Sequence, residues 1–283
     1  MASKIMREIK RPFKQLGQLL GIIKKPKAMM TDKEIESDRA KFISLHKDTR
    51  FSVERKYDYI CKDDKYVQNG GMDNQYFIQD IWGARKVYEN KPEVHYDVGS
   101  SVAGFIAHLQ GFKQQVCLID IRPMRNLDTP FLRSGGGGGK YTQANATNLT
   151  NIADESLESL SALCSIEHFG LGRYGDPIEP DAWEKALKSF QRVLKSGGKL
   201  YISVPVGKID KVCFNAHRVY RPQTIIDTLN ECQIIEMSYI DGFDTALCME
   251  YRDDKLQIYQ DKLDSIPDAV NWGTTGLFEF VKK

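Results

Sequence analysis

From Tyr76 onward the apolar positions of the chain switch between two periods. A period near 3.6 marks amphipathic helices and a period of 2, or a short continuous apolar run, marks buried strands. Phe77, Ile78, Ile81, Trp82, Ala84 and Val87 predict a helix that ends at Lys91-Pro92. Tyr96 and Val98 then flank Asp97 in a short strand, Gly99 breaks it, and Val102, Phe105, Ile106 and Leu109 share one face of a following helix. Residues 116–121, VCLIDI, read as a second strand ending at Asp120, and 141–149, YTQANATNL, as a short strand with a polar turn. Residues 151–160 are acidic and loop-like; 160–166, LSALCSI, suit a buried strand. The clearest helix spans 181–194, with Trp183, Ala186, Leu187, Phe190, Val193 and Leu194 on its apolar face, Pro180-Asp181 at its start and Gly197-Gly198 as its stop. Residues 199–206 alternate as a strand, 221–232 form a helix opened by Pro222, and 233–240 and 276–281 close the series as strands. Strands alternating with helices predict a mostly parallel sheet covered on both faces.

The first 75 residues behave differently, and the chain divides into an extension, 1–75, and a sheet domain, 76–283. Lys4, Arg7, Lys10, Arg11, Lys14, Lys24, Lys25 and Lys27 interleave with Ile5, Ile9, Phe13, Leu16, Leu19, Leu20, Ile22 and Ile23, and Glu8 is the only acid of that stretch. A basic amphipathic segment of this kind lies on an anionic membrane surface or remains a solvated arm. Residues 33–55 carry a weak helical pattern, and Asn69-Gly70-Gly71 signal a turn. The net charge of the whole chain is only +2, which gives no reason to expect a nucleic-acid partner. Its cysteines form no C-x-x-C pair, so they read as reduced thiols of a cytoplasmic protein rather than zinc ligands or disulfides. No apolar run approaches the roughly 20 residues of a membrane span.

In sheets of this class ligands bind beyond the C-terminal strand ends. Gly99, Asp120, Asn145 and Glu167-His168 all fall at such ends. Asp120 follows Gly99 at about the 20-residue spacing that separates a nucleotide-binding turn from its ribose carboxylate. A dinucleotide fingerprint reads G-x-G-x-x-G, yet here the three places hold Gly99, Ser101 and Gly104. The missing middle glycine is the one that lets backbone approach a pyrophosphate, so the turn points to an adenosine ligand without phosphates. Ser134 and the run Gly135 to Gly139 form either a native flexible loop or an introduced linker, and no G-K-[ST] follows in P-loop spacing.

These residues resemble the class I S-adenosylmethionine-dependent methyltransferases. YDVGSSVAGF matches the first glycine motif, LIDI the ribose-binding strand, QANATNL the adenine-side turn, CSIEHFG the end of the fourth strand, and VLKSGGKLYISVP the entry to the fifth. CSIEHFGLGRYGDPI and VCFNAHRVY look more like a bacterial branch associated with surface-polysaccharide synthesis. The resemblance implies an α/β, Rossmann-like, seven-stranded and mostly parallel sheet with helices on both faces, plus the helical N-terminal extension. It implies S-adenosylmethionine as cofactor and a small-molecule or glycan acceptor. Asp97 would then hold the methionine amino group, with Gly99, Ser100 and Ser101 facing the methionine part. Asp120 would accept from the ribose, Asn145 from the adenine amino group, and Ser165 would stand near the sulfonium, with Ile121 and Ala146 completing the cofactor site. Ser101 for glycine and Ser196 for the usual proline depart from the pattern.

Methyl transfer to a hydroxyl needs in-line alignment and a proton acceptor. His168 is the first candidate base because its ordinary pKa lies near neutrality, Glu167 either orients it or acts itself, and His217 is a further candidate. Tyr174, Tyr220 and Arg218 are candidates for an acceptor pocket; Glu167, Asp176 and Glu179 have no spacing that enforces a metal site. Two rival readings stand beside the enzyme. One is a non-catalytic subunit of the same fold that scaffolds glycan synthesis. The other, an NAD-dependent enzyme, is disfavoured by Ser101 and by a sole Y-x-x-x-K pair, Tyr251 and Lys255, in a charged stretch.

Overall fold

A computed structural model describes residues 29–67, 75–124 and 140–283. The basic segment before Met29, the Asn69-Gly70-Gly71 turn and the glycine run lie outside the described residues. The chain separates into two compact units at Gly71/Met72. Within the first, helix α1 (Asp32–Leu45) starts at a capping box in which the Glu34 amide donates to Thr31 Oγ1 at 3.3 Å and the Thr31 amide to Glu34 Oε2 at 2.8 Å. It ends well before residue 55 and buries none of its side chains. Ion pairs tie it to the following chain, Arg39 to Asp58 at 2.8 Å and Arg55 to Glu36 at 2.6 Å.

In the second unit the elements run α2 (Gln75–Asn90), β1 (His95–Val98), α3 (Ala107–Gly111), β2 (Val116–Asp120), β3 (Lys140–Gln143), β4 (Leu157–Leu163), α4 (Ala182–Val193) and β5 (Leu194–Val206). They continue with β6 (Lys211–Cys213), β7 (His217–Val219), α5 (Pro222–Thr228), β8 (Cys232–Asp241), β9 (Asp244–Arg252), β10 (Lys255–Ile258), α6 (Gln260–Asp264) and β11 (Thr274–Lys282). One nine-stranded sheet carries the order β10-β9-β8-β11-β5-β4-β1-β2-β3, and β6 and β7 pair separately. The strands β5, β4, β1, β2 and β3 are parallel, and β11 runs antiparallel between β5 and β8.

Seven strands are expected and the main sheet holds nine; the additional two are β9 and β10, and β6 and β7 form a separate pair. Both are joined by two-residue hairpins whose turns use positive φ, at Gly242 (69°) and at Asp253 and Asp254 (51° and 57°). Their half-exposed, charge-rich faces hide the alternation that a buried strand shows. Other boundaries also move. β4 begins at Leu157, β3 is only four residues, and the helix opened by Pro222 stops at Thr228. After Gly99 the chain makes a π-turn, Val102–Ile106, before α3. That widened turn rotates Val102 off the predicted apolar face, leaving it 53% exposed.

Helices cover both sheet faces. Ala186, Leu187, Phe190 and Val193 of α4 pack with Leu160, Leu200, Ile202 and Val204, while Ala84 and Val87 of α2 pack with Phe105, Leu109, Leu163 and Tyr201. Among the described residues no helix is long and apolar enough to cross a membrane.

Candidate active site

The C-terminal ends of β1, β2, β3 and β4 open onto one cleft. A chamber of about 90 Å³ is lined by Val98, Gly99, Ile119, Asp120, Ala146 and Ser165 among others, with Ile121 and Asn145 on the same wall. It shares Gly99, Asp120, Cys164, His168 and Tyr174 with a wider cavity of about 570 Å³, reached by Tyr76, Gln79, Asp97, Ser100, Ser101 and Tyr141. The larger volume lies within the roughly 300–1,000 Å³ of small-molecule sites.

Gly99 sits at the waist with φ +71°, a conformation that L side chains rarely adopt, and a Cβ there would stand 3.1 Å from Ser165 Cβ. Ser165 is buried, and its Oγ has no protein partner. Asp97 is 1% exposed; its Oδ1 accepts from Ser161 Oγ at 2.5 Å and Ser100 Oγ at 2.6 Å, and its Oδ2 from the Ser100 amide at 3.1 Å. Burial outweighs these bonds and pushes its pKa up to about 6. Ser100 Oγ in turn accepts from the Leu163 amide, so its hydroxyl is committed to the frame.

Ser101 caps the helix start. Its Oγ accepts from the Gly104 amide at 3.2 Å and its carbonyl from Ile106 at 3.2 Å, while the Phe105 amide donates to Asp80. Asp80 is buried and approaches so closely that a Cβ on Gly104 would lie 2.0 Å from its Oδ2. A side chain at position 104 would have to displace that carboxylate. The Gly104 amide is taken by Ser101, and a carboxylate stands beside the turn, where a phosphate would be repelled.

Asp120 lines both cavities, but Arg122 holds it with Nε to Oδ1 at 2.9 Å, Nη2 to Oδ2 at 2.6 Å and its amide to Oδ1 at 2.8 Å. The same guanidinium lies 4.7 Å from the Tyr174 ring centroid, forming a clasp across the mouth. Asn145 Oδ1 accepts from the Thr147 amide at 3.0 Å, so its carbonyl serves its own turn.

At the end of β4, Glu167 and His168 stand side by side. His168 Nδ1 donates to Ala216 O at 2.6 Å, which leaves Nε2 as the acceptor, 3.6 Å from Glu167 Oε1. Burial lowers the His168 pKa to about 4, and burial raises that of Glu167 to about 8. At neutral pH the proton of this pair therefore resides on the glutamate. Glu167 is 2% exposed, and its Oε2 has no partner. His168 reaches both cavities; Glu167 and His217 are not on the cleft wall. His217 lies behind it on β7, its Nε2 buried and unpartnered.

Of the three candidates for an acceptor pocket, Tyr174 lines the cleft and the other two do not. Arg218 is buried and braces the loop after β4, donating to Phe169 O at 2.5 Å and Pro180 O at 3.1 Å; Tyr220 OH is buried without a partner. Asp176 closes that loop by accepting from the amides of Gly170 at 2.6 Å and Tyr174 at 3.2 Å. Tyr76, Gln79, Arg122, Tyr141 and Cys164 join the cleft without having been singled out in sequence. Only the first turn of α2 meeting the strand ends brings Tyr76 and Gln79 there, which no local pattern reveals. Among the described residues no cluster of metal-ligating side chains occurs.

Comparison with known proteins bears on the frame. The putative sarcosine dimethylglycine methyltransferase of Galdieria sulphuraria superposes with a TM-score of 0.50 at 13% identity, covering 72% of this chain and 84% of that one. The fold is methyltransferase-like. The 1,6-didemethyltoxoflavin-N1-methyltransferase of Burkholderia thailandensis, solved with S-adenosylhomocysteine, gives 0.49 at 12% identity over 92% of this chain and 93% of that one. The YcgJ protein of Bacillus subtilis gives 0.49 at 14% identity over 73% and 98%. A family model described as "Caenorhabditis protein of unknown function, DUF268" matches residues 143–237, which include β4, the Glu167-His168 pair and β5. No curated protein matches the chain.

Proposed function

We propose that the chain is an S-adenosylmethionine-dependent methyltransferase whose acceptor is a hydroxyl of a sugar or glycan precursor. The observation that carries the cofactor is the charge at the glycine turn. Where a dinucleotide site keeps negative charge away from phosphate, this turn has the carboxylate of Asp97 on the cavity wall and that of Asp80 buried beside the helix start. That arrangement fits a ligand with a cationic amino-acid end. The orphaned Ser165 Oγ at the waist and the chamber bounded by Asp120 and Ala146 fit its nucleoside end.

Bound there, the cofactor supplies an electrophilic methyl group. The chain's own residues hold and orient: Asp97 takes the ammonium, Asp120 the ribose hydroxyls once Arg122 swings aside, and the Gly99 turn sets the separation between the two cavities. Tyr76, Tyr141 and Tyr174 give the wide cavity aromatic faces and hydroxyls suited to a polyol. The acceptor hydroxyl's proton passes by way of His168 Nε2, the member of the pair that lines the cleft, to the Glu167 carboxylate behind it, the more basic of the two.

A second reading, a non-catalytic subunit of the same fold, is favoured by one observation: both carboxylate oxygens of Asp120 are already engaged by Arg122. Calorimetry separates the two. The enzyme binds S-adenosylmethionine but neither NAD nor ATP, and Asp120→Ala weakens that binding at least tenfold. It then moves a labelled methyl group onto sugar or glycan-precursor pools. Absence of heat with S-adenosylmethionine leaves the subunit reading standing.

A further inference from the structure

β1 and β4 pair in parallel with Asp97 opposite Ser161. Because side chains alternate along a strand, His95 and Asp97 of β1 and Ser159 and Ser161 of β4 project from the same face. That face is otherwise the apolar layer of Ala84, Val87, Phe105, Leu109 and Tyr201. Four polar side chains in such a layer are costly unless each is paired. All four are.

His95 is fully buried, with Nδ1 2.8 Å from Ser159 Oγ and Nε2 2.9 Å from Ser161 Oγ. The direction of every proton follows from the carboxylate end. Ionised Asp97 only accepts, so the Ser161 hydroxyl, 2.5 Å from Oδ1, must donate to it. Ser161 Oγ is then free only to accept, which requires a proton on His95 Nε2. Nδ1 accordingly accepts from the Ser159 hydroxyl. Burial lowers the His95 pKa to about 3, so the ring stays neutral and holds this one tautomer. An edge contact with Phe105 at 5.9 Å and a tilted contact with Tyr201 at 6.3 Å between centroids fix its plane.

We infer that His95, with Ser159 and Ser161, is a positioning chain that aims one hydroxyl proton at Asp97 and so keeps that carboxylate ionised and oriented for a cationic ligand group. The cationic ligand rests on the function proposed above; the action of the chain on Asp97 does not. The other groups facing Asp97 are Ser100 of the turn, Asp120 at the end of β2, whose charge opposes its ionisation, and Gln79, which reaches the same cavity from α2.

The test is a ¹³C carboxyl NMR titration of the ligand-free full chain, with the Asp97 signal assigned through its loss in Asp97→Asn. Ser161→Ala removes the donor, and the Asp97 midpoint rises by about one unit. Ser161→Thr keeps the hydroxyl and restores it. His95→Phe keeps the ring but frees the serine rotor, giving a smaller rise; it also serves should the alanine variant fail to fold. Calorimetry at pH 7 reads the ligand side, where Ser161→Ala weakens S-adenosylmethionine about fivefold and Ser161→Thr does not. An Asp97 midpoint unmoved by both Ser161→Ala and His95→Phe overturns the inference. A shifted midpoint in a protein that shows no heat with S-adenosylmethionine upholds the chain and removes the cofactor reading instead.

Discussion

Two buried acids, Asp97 on the cleft wall and Glu167 behind it, belong to the ends of neighbouring strands and have opposite surroundings. Asp97 receives three hydrogen bonds and belongs to a chain in which each proton has one direction. Glu167 has an unpartnered Oε2, and Ser165 Oγ, His217 Nε2 and Tyr220 OH are likewise buried without partners. A saturated cluster is scaffold: its geometry is set before any ligand arrives. An unsaturated one stores unmet hydrogen-bonding capacity that folding alone does not use, and such capacity belongs where a ligand or a proton is to be taken up. Under the proposed function the contrast gives ligand binding to the β1 end and proton transfer to the β4 end.

The largest expected effect comes from removing each acid in turn. Asp97→Leu strands three donors and destabilises the fold by about 3–5 kcal/mol in urea titration at pH 7, whereas Glu167→Leu costs less than about 1 kcal/mol or stabilises. Equal losses would erase the distinction. Next comes pH. Glu167 has an ordinary value of 4.5 and a folded value of about 8, so between these the folded state holds the extra proton. Its contribution therefore falls as pH rises through that window and stays low above it, by roughly 5 kcal/mol in all. Glu167→Gln does not titrate, and its melting temperature should overtake that of the wild type between pH 6 and 9. In methyl transfer the same group predicts a kcat/KM that climbs toward a plateau with a midpoint near pH 8 and loses that limb in Glu167→Gln. A midpoint near 4 would hand the base role to His168. The smallest effect belongs to the half-exposed clasp: Arg122→Ala frees Asp120 and tightens S-adenosylmethionine by up to about fivefold, because surface ion pairs contribute about 1 kcal/mol or less.

Much of the sheet was legible because its strands are buried on both faces or alternate cleanly, as in 199–206, and because α4 carries an uninterrupted apolar stripe. Gly99, Asp120, Asn145 and the Glu167-His168 pair were legible as strand-end residues. β9 and β10 were not, since the half-exposed β9 and the exposed edge strand β10 lack the hydrophobic signal. Nor was the role of His95, which on the page is one polar residue before a strand. Its partners lie 64 and 66 positions away on β4.

What the order of residues determines by itself is local: a turn that only glycine permits at position 99, a serine in place of the phosphate-admitting glycine, and acids at the ends of β1 and β2. Backbone sterics and side-chain periodicity act over a few residues, so those features can be read without a fold. Charge state is different. The proton sits on Glu167 and not on His168 because burial, assembled from distant elements, penalises the charged form of each. The commitment of Asp120 to Arg122 and of Ser161 to Asp97 likewise depends on where side chains meet in space. Those meetings are products of tertiary packing, and they decide which of the legible side chains are already engaged and which are left without partners.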